Sequence, residues 1–131
     1  MPVDTTAAPT PADTMAAPAG GIVGLELLAV DQPGSAAIPI SDGMVIPAGS
    51  YSVVAVTSGS LGSVQFGLNA NAAFRTEGVA PYALCGDFRG VFFGCGELLP
   101  GANTITATAF PLGGAGGAPI NSISVSLTIE N

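Results

Sequence analysis

Residues 122–130 alternate between polar and apolar side chains without interruption. A period of two is the signature of a β-strand with one buried face and one solvated face. Shorter stretches with the same alternation occur at residues 64–69 and 104–109. The pattern therefore predicts an all-β fold.

Charged residues are scarce: nine are acidic, two are arginine and none is lysine or histidine, which gives a formal net charge of −7. Binding to nucleic acid is not expected, because Lys and Arg neutralise the phosphates, and an anionic membrane would repel the chain. Without His or Lys the commonest general bases are missing, so we expect no enzyme activity. We also expect no bound metal and no cofactor. So few charges leave little repulsion between copies, which fits either a small exported domain or a self-associating subunit.

The apolar stretch at residues 22–30 is too short to span a bilayer and is interrupted by Gly24 and Glu26, since a spanning helix needs about 18 apolar residues. We therefore expect no membrane span. The first residues show neither the basic segment nor the apolar core of a signal peptide. We expect an extracellular or cell-surface protein whose signal peptide has been removed.

Cys85 and Cys95 are the two cysteines of the chain. A zinc site is not expected, because zinc needs four ligands and the chain has no histidine. The spacing fits a disulfide that closes a short loop in an oxidising compartment. The alternative is a pair of buried free thiols.

Residues 1–20 are rich in Pro, Ala and Thr and have no apolar periodicity. This composition predicts an extended N-terminal tail, followed by one domain at residues 21–131. Thr5, Thr6, Thr10 and Thr14 are candidate acceptors for O-glycosylation.

The domain reads as seven or eight short strands separated by turn signals, a spacing typical of an immunoglobulin-like Greek-key β-sandwich. The predicted strands are residues 22–30, 44–46, 51–57, 63–69, 73–76, 79–84, 103–110 and 120–130.

Several segments in this order resemble an immunoglobulin-like module of bacterial cell-surface and secreted proteins. The most specific is residues 75–84, which read Arg-Thr-Glu-Gly-Val-Ala-Pro-Tyr-Ala-Leu. The others are residues 27–33, 40–43, 62–69, 86–87 and 99–109.

The resemblance implies a structural spacer or interaction domain, with no catalytic residues to transfer. Two features depart from the family: Cys85 and Cys95 replace positions that look aromatic or polar there, and the chain is a single module with a tail. A lone spacer would have a role if it joined to copies of itself.

Some residues allow two interpretations. Arg75 and Glu77 fit an exposed ion pair or a ligand contact, and Tyr82 after Pro81 fits a core anchor or a sugar-stacking platform.

The apolar residues between the cysteines either tuck into the end of the sandwich or form an exposed docking patch; they are Phe88, Val91, Phe92 and Phe93. The candidate calcium ligands are Asp31, Asp42 and Asp87, although no dense Asp-x-Asp-x-Asp loop is present.

Two functions fit these features. In the first, the chain is a structural subunit of an extracellular filament, and its tail or the strand at residues 22–30 completes the sheet of another copy by β-strand addition. Such a head-to-tail contact propagates without closing. The residues predicted to take part in assembly are Ile22, Val23, Leu25, Leu27, Phe88, Phe92 and Phe93. In the second, the chain is a monomeric binding or adhesion module with glycans as candidate ligands.

Overall fold

The computed structural model describes residues 20–32, 36–88 and 91–131. The predicted tail, apart from Gly20, and its four candidate threonines lie outside the described residues. Within these ranges the chain forms eleven β-strands, one 3-10 turn at Gly113–Ala115 and no α-helix, which confirms the predicted all-β fold. The strands are β1 (Gly21–Ala29), β2 (Ile38–Pro39), β3 (Met44–Ile46), β4 (Tyr51–Ser58), β5 (Ser63–Leu68), β6 (Asn71–Glu77), β7 (Tyr82–Ala83), β8 (Asp87–Phe88), β9 (Val91–Phe92), β10 (Gly101–Phe110) and β11 (Asn121–Ile129).

The strands form two main sheets and a small hairpin. The first sheet has the order β2-β1-β4-β7, the second has the order β3-β11-β10-β5-β6, and β8 pairs with β9. All strand pairs are antiparallel except β3 with β11. Val53 of the first sheet and Phe66, Ile105 and Leu127 of the second belong to one fully buried cluster. The arrangement is consistent with a β-sandwich.

The alternating polar and apolar residues of the sequence form the two faces of β10 and β11. Their register runs from Gly101 opposite Ile129 to Ala109 opposite Asn121. The apolar members of both strands face the core. On the outer face the hydroxyls pair across the strands, Thr106 with Ser124 at 3.2 Å and Thr108 with Ser122 at 3.0 Å. Such cross-strand pairs fix the register as well as stabilising the sheet.

The described residues form more strands than the seven or eight expected. The additional strands β2, β8 and β9 have two residues each, and a segment of that length is too short to show a period of two. The strand predicted at residues 79–84 is reduced to β7, which follows a cis Ala80–Pro81 peptide bond. The sequence therefore located the long strands and β3 but missed β2, β8 and β9.

Asn103 is a buried polar residue at the start of β10, with 1% of its surface exposed. Its Oδ1 accepts hydrogen bonds from Asn69 Nδ2 and the Leu99 N–H, and its Nδ2 donates to the carbonyls of Leu99 and Gly101. Because Asn103→Ala leaves these groups without partners, we expect the free energy of unfolding to fall by about 2–3 kcal/mol. Urea denaturation would measure the change. Asn71→Ala, at an exposed position, is the control, and an equal effect of both substitutions would contradict this role.

Candidate functional site

The disulfide and its hairpin form the first candidate site. Cys85 and Cys95 are bonded, with their Cα atoms 5.5 Å apart, which confirms the disulfide over two free thiols and fits an oxidising compartment. The hairpin of β8 and β9 lies between them. Phe92 is half-buried, whereas the other three apolar side chains are largely exposed. Their exposed fractions are 61% for Phe88, 66% for Val91 and 51% for Phe93. The hairpin therefore presents apolar side chains to solvent.

The base of this hairpin is fixed to the first sheet. The Cys95 N–H donates to the Tyr51 carbonyl at 2.7 Å. Gly94 lies so close to Ser50 that a Cβ would collide with Ser50 Oγ, and it would lie 3.2 Å from Val30 Cγ2. A larger residue at this position would therefore require the Ser50 hydroxyl to rotate away. The segment that ends the disulfide loop is thus held against β4 and the end of β1.

Tyr51, whose carbonyl accepts the hydrogen bond from Cys95 at the hairpin base, makes the stability of the fold depend on pH. Burial raises the pKa of its hydroxyl above the usual 10.0, with the Asp31 carboxylate adding to the rise, and the hydroxyl donates to the Pro47 carbonyl at 2.8 Å. The unfolded chain loses this proton at a lower pH than the folded chain does. The contribution of protonated Tyr51 to the free energy of unfolding is therefore fully present below about pH 10 and is lost as the pH rises further.

We therefore expect denaturation midpoints to decrease above pH 10 in the unaltered chain and to decrease less in Tyr51→Phe. The chain has no lysine, and its second tyrosine, Tyr82, is present in both proteins, so the difference between the two pH profiles reports Tyr51. Parallel pH profiles for the two proteins would contradict the assignment.

The outer edge of β6 carries charged side chains that point inward. Arg75 lies opposite Phe66 and Glu77 lies opposite Val64, so both share the core-facing side of the sheet with these buried residues. Arg75 and Glu77 form an ion pair in which 43% of the Arg75 side chain and 14% of the Glu77 side chain remain exposed, which confirms the predicted ion pair. A Cβ at Gly86, across the sandwich, would lie 2.6 Å from the Arg75 guanidinium. Inward-pointing charges are a device that opposes pairing of an edge strand with another chain.

The start of β1 is protected from pairing with another chain by a bulge and a side chain. The register with β4 shifts between Ile22 and Gly24, which leaves Val23 as a bulged residue with 63% of its surface exposed. The Ile22 N–H donates to Asn121 Oδ1 at 2.9 Å, and Asn121 Nδ2 donates to the Ile22 carbonyl at 2.8 Å. The Asn121 side chain therefore occupies the backbone groups at the point where β1 begins.

The predicted assembly residues of β1 divide between core and surface. Ile22, Leu25 and Leu27 are each 3% exposed and belong to the core of their own domain. Val23 lies on the surface. The structure thus places three of them in the core of one sandwich, whereas Val23, Phe88 and Phe93 are exposed.

The edge of β11 is covered over only part of its length. β3 pairs with Leu127 to Ile129. Just before it, the Ser126 N–H donates to Asp42 Oδ1 at 2.7 Å, and the Gly43 N–H donates to the Ser126 carbonyl at 2.8 Å. On the same side of residues 121–125, no strand of the described ranges pairs with β11. We call the uncovered side of residues 121–125 the β11 edge.

Other candidate residues have structural contacts. Tyr82 is 8% exposed within the core, in agreement with an anchor. Asp31 Oδ2 accepts a hydrogen bond from the Ser50 N–H at 3.2 Å, and Asp42 holds Ser126 as described. In the described ranges, no group of three or more His, Cys, Asp or Glu side chains is placed to hold a metal. No helix in these ranges is long and apolar enough to cross a membrane.

Comparison of the chain with protein-family models, with curated proteins and with solved structures found no match. The open edge and the exposed hairpin are therefore the features from which a function can be inferred.

Proposed function

We propose that this chain is a structural subunit of an extracellular filament, in which the N-terminal segment of one copy adds as a β-strand to a sheet of the next. The observation that carries the proposal is the β11 edge. Main-chain groups at an uncovered edge form a template for pairing with another chain. Charged residues make up only 8% of the chain, so few charged side chains would lose their hydration at a contact between copies.

Residues 1–19 are the donor in this proposal, rather than β1. Ile22, Leu25 and Leu27 are buried, and β1 pairs with β4 from Gly21 to Ala29. Releasing β1 would expose these apolar side chains to water at a cost of roughly 1.5–3 kcal/mol each. Donating the segment before Gly20 instead leaves these buried side chains and the pairing of β1 with β4 in place.

We also propose that the sandwich is immunoglobulin-like. In such folds, the first, second and fifth strands share one sheet, and the third, sixth and seventh strands share the other. The grouping of β1, β4 and β7 opposite β5, β10 and β11 supports this assignment, with β6 as the additional strand beside β5.

The exposed hairpin favours a second function, that of a binding or adhesion module. Phe88, Val91 and Phe93 form an apolar group on a segment tied by a disulfide. Exposed apolar groups of this kind often mark sites of interaction. A monomer that binds immobilised glycans through this hairpin would favour the second function over the first.

Size-exclusion chromatography with limited proteolysis tests the filament proposal. We expect the protein to elute as large assemblies in non-denaturing buffer, with residues 1–19 resistant to proteinase K. The control is a chain of equal length in which a Gly-Ser sequence replaces residues 1–19, and it should elute as a monomer. A stable monomer of the unaltered chain with a rapidly cleaved N-terminal segment would contradict the proposal.

A further inference from the structure

We propose that the β11 edge is the acceptor for the N-terminal segment of a second copy, an inference that rests on the proposed filament function and specifies its contact. The acceptor consists of the outward-facing backbone groups of Ser122 and Ser124. The donor lies within residues 1–19 of the other copy.

The direction of the backbone groups follows from the contacts of Ser126. Its N–H and carbonyl both face the β3 side of the strand, where they bond to Asp42 and Gly43. In an antiparallel ladder the side on which a residue presents its N–H and C=O alternates along the strand. Ser124 and Ser122, two and four residues earlier, therefore present their N–H and C=O groups to the same side, beyond the reach of β3.

The side chains at this edge are compatible with an added strand. Ser122 and Ser124 carry small hydroxyls on the outer face, paired with Thr108 and Thr106. Val125 faces the core and is buried, and Ile123 is half-buried. An added strand would extend the second sheet and cover the remaining surface of Ile123.

The other long edges have features that oppose pairing. β6 carries the inward-pointing Arg75 and Glu77, and the start of β1 is bulged and held by Asn121. β2 and β7 have two residues each, and short edge strands offer few groups to pair with. The β11 edge has neither feature: the outward backbone groups of Ser122 and Ser124 pair with no described strand, and the side chains of these residues are small and uncharged.

The point where residues 1–19 join the fold favours a donor from another copy. The Gly20 N–H donates to the Ser60 carbonyl at 2.6 Å, and a Cβ at Gly21 would lie 2.9 Å from Asn121 Oδ1. β1 and β11 thus begin at the same end of the sandwich. A donor from the same chain would have to reverse direction before Gly20 to lie along its own β11 edge, because β1 and β11 both run into the sandwich from this end.

The donor segment has enough length and suitable composition for this contact. Nineteen extended residues span about 60 Å, so the segment can reach another copy. Residues 3–8 and 12–17 contain no proline. Each stretch can offer an N–H at every position to a neighbouring strand, which proline cannot do.

Hydrogen exchange on the full-length protein tests the acceptor directly. On passing from dilute monomer to assembled protein, we expect exchange of the Ser122 and Ser124 amides to slow by at least about tenfold. Assembly without slower exchange at these amides would overturn the inference and leave the filament proposal standing. Equal protection in the dilute monomer would assign the edge to the chain's own segment and would also overturn it. A chain that does not assemble at all would remove the filament proposal, and the inference with it.

A pair of variants provides a second test. Ser124→Pro removes the outward N–H while leaving the β10 ladder, so the sedimentable fraction should fall by at least about tenfold. Ser124→Ala removes the hydroxyl and keeps the N–H, and it should assemble like the unaltered chain. Unchanged assembly of Ser124→Pro would overturn the inference. If Ser124→Pro does not fold, the exchange measurement on the unaltered chain decides.

Discussion

Replacing Phe66 with alanine is expected to lower the free energy of unfolding by about 3–5 kcal/mol. Phe66 is fully buried on β5 and lies opposite Ala107 of β10 on the core-facing side. The alanine leaves space that the phenylalanine ring fills, and the strands on both sides of β5 limit how far the core can collapse. The loss therefore combines the transfer free energy of the ring with the cost of a cavity.

Chemical denaturation at equilibrium measures this change, and Phe93→Ala is the matched control. Phe93 is 51% exposed, so its truncation should cost about 1 kcal/mol or less. Similar losses for the two variants would contradict the placement of Phe66 at the centre of the sandwich.

Reducing the disulfide is expected to lower the free energy of unfolding by about 2–3 kcal/mol. The bond joins Cys85 to Cys95, 10 positions apart, and a loop of that size restricts the unfolded chain by this amount in the chain-entropy model. The hairpin base should also detach more readily from Tyr51, because its fixed position depends on both ends of the loop.

Thermal denaturation with and without a reductant measures the effect. The doubly substituted chain Cys85→Ala/Cys95→Ala is the control, because it should be less stable from the start and insensitive to the reductant. Equal stability of the oxidised and reduced chains would contradict a stabilising role for the bond.

The long strands could be predicted from the sequence because their evidence is local. Alternating side chains over residues 122–130 place one face against a core, and β11 occupies residues 121–129. The same holds for β5 and β10. The disulfide could also be predicted from the sequence, since a chain with two cysteines and no histidine has few alternative roles for its cysteines. In these cases a short stretch of sequence, or a simple count, carried the information.

The β11 edge could not be predicted in this way, because an edge is defined by what does not pair with it. The sequence of β11 is uniform along its length, yet β3 covers only its second half. The contact between Asn121 and Ile22 joins residues 99 positions apart. Asn121 at the start of an alternating strand was the one local signal, and it does not identify its partner. The inward direction of Arg75 likewise depends on pairing with Phe66.

Negative-stain electron microscopy of the native protein at neutral pH, without denaturant, tests the central claim most directly. The account predicts regular filaments whose repeat is about the length of one small domain, and filaments should be absent from Ser124→Pro under the same conditions. Dispersed single particles of the unaltered chain, at all concentrations, would contradict the claim that this chain assembles through its N-terminal segment.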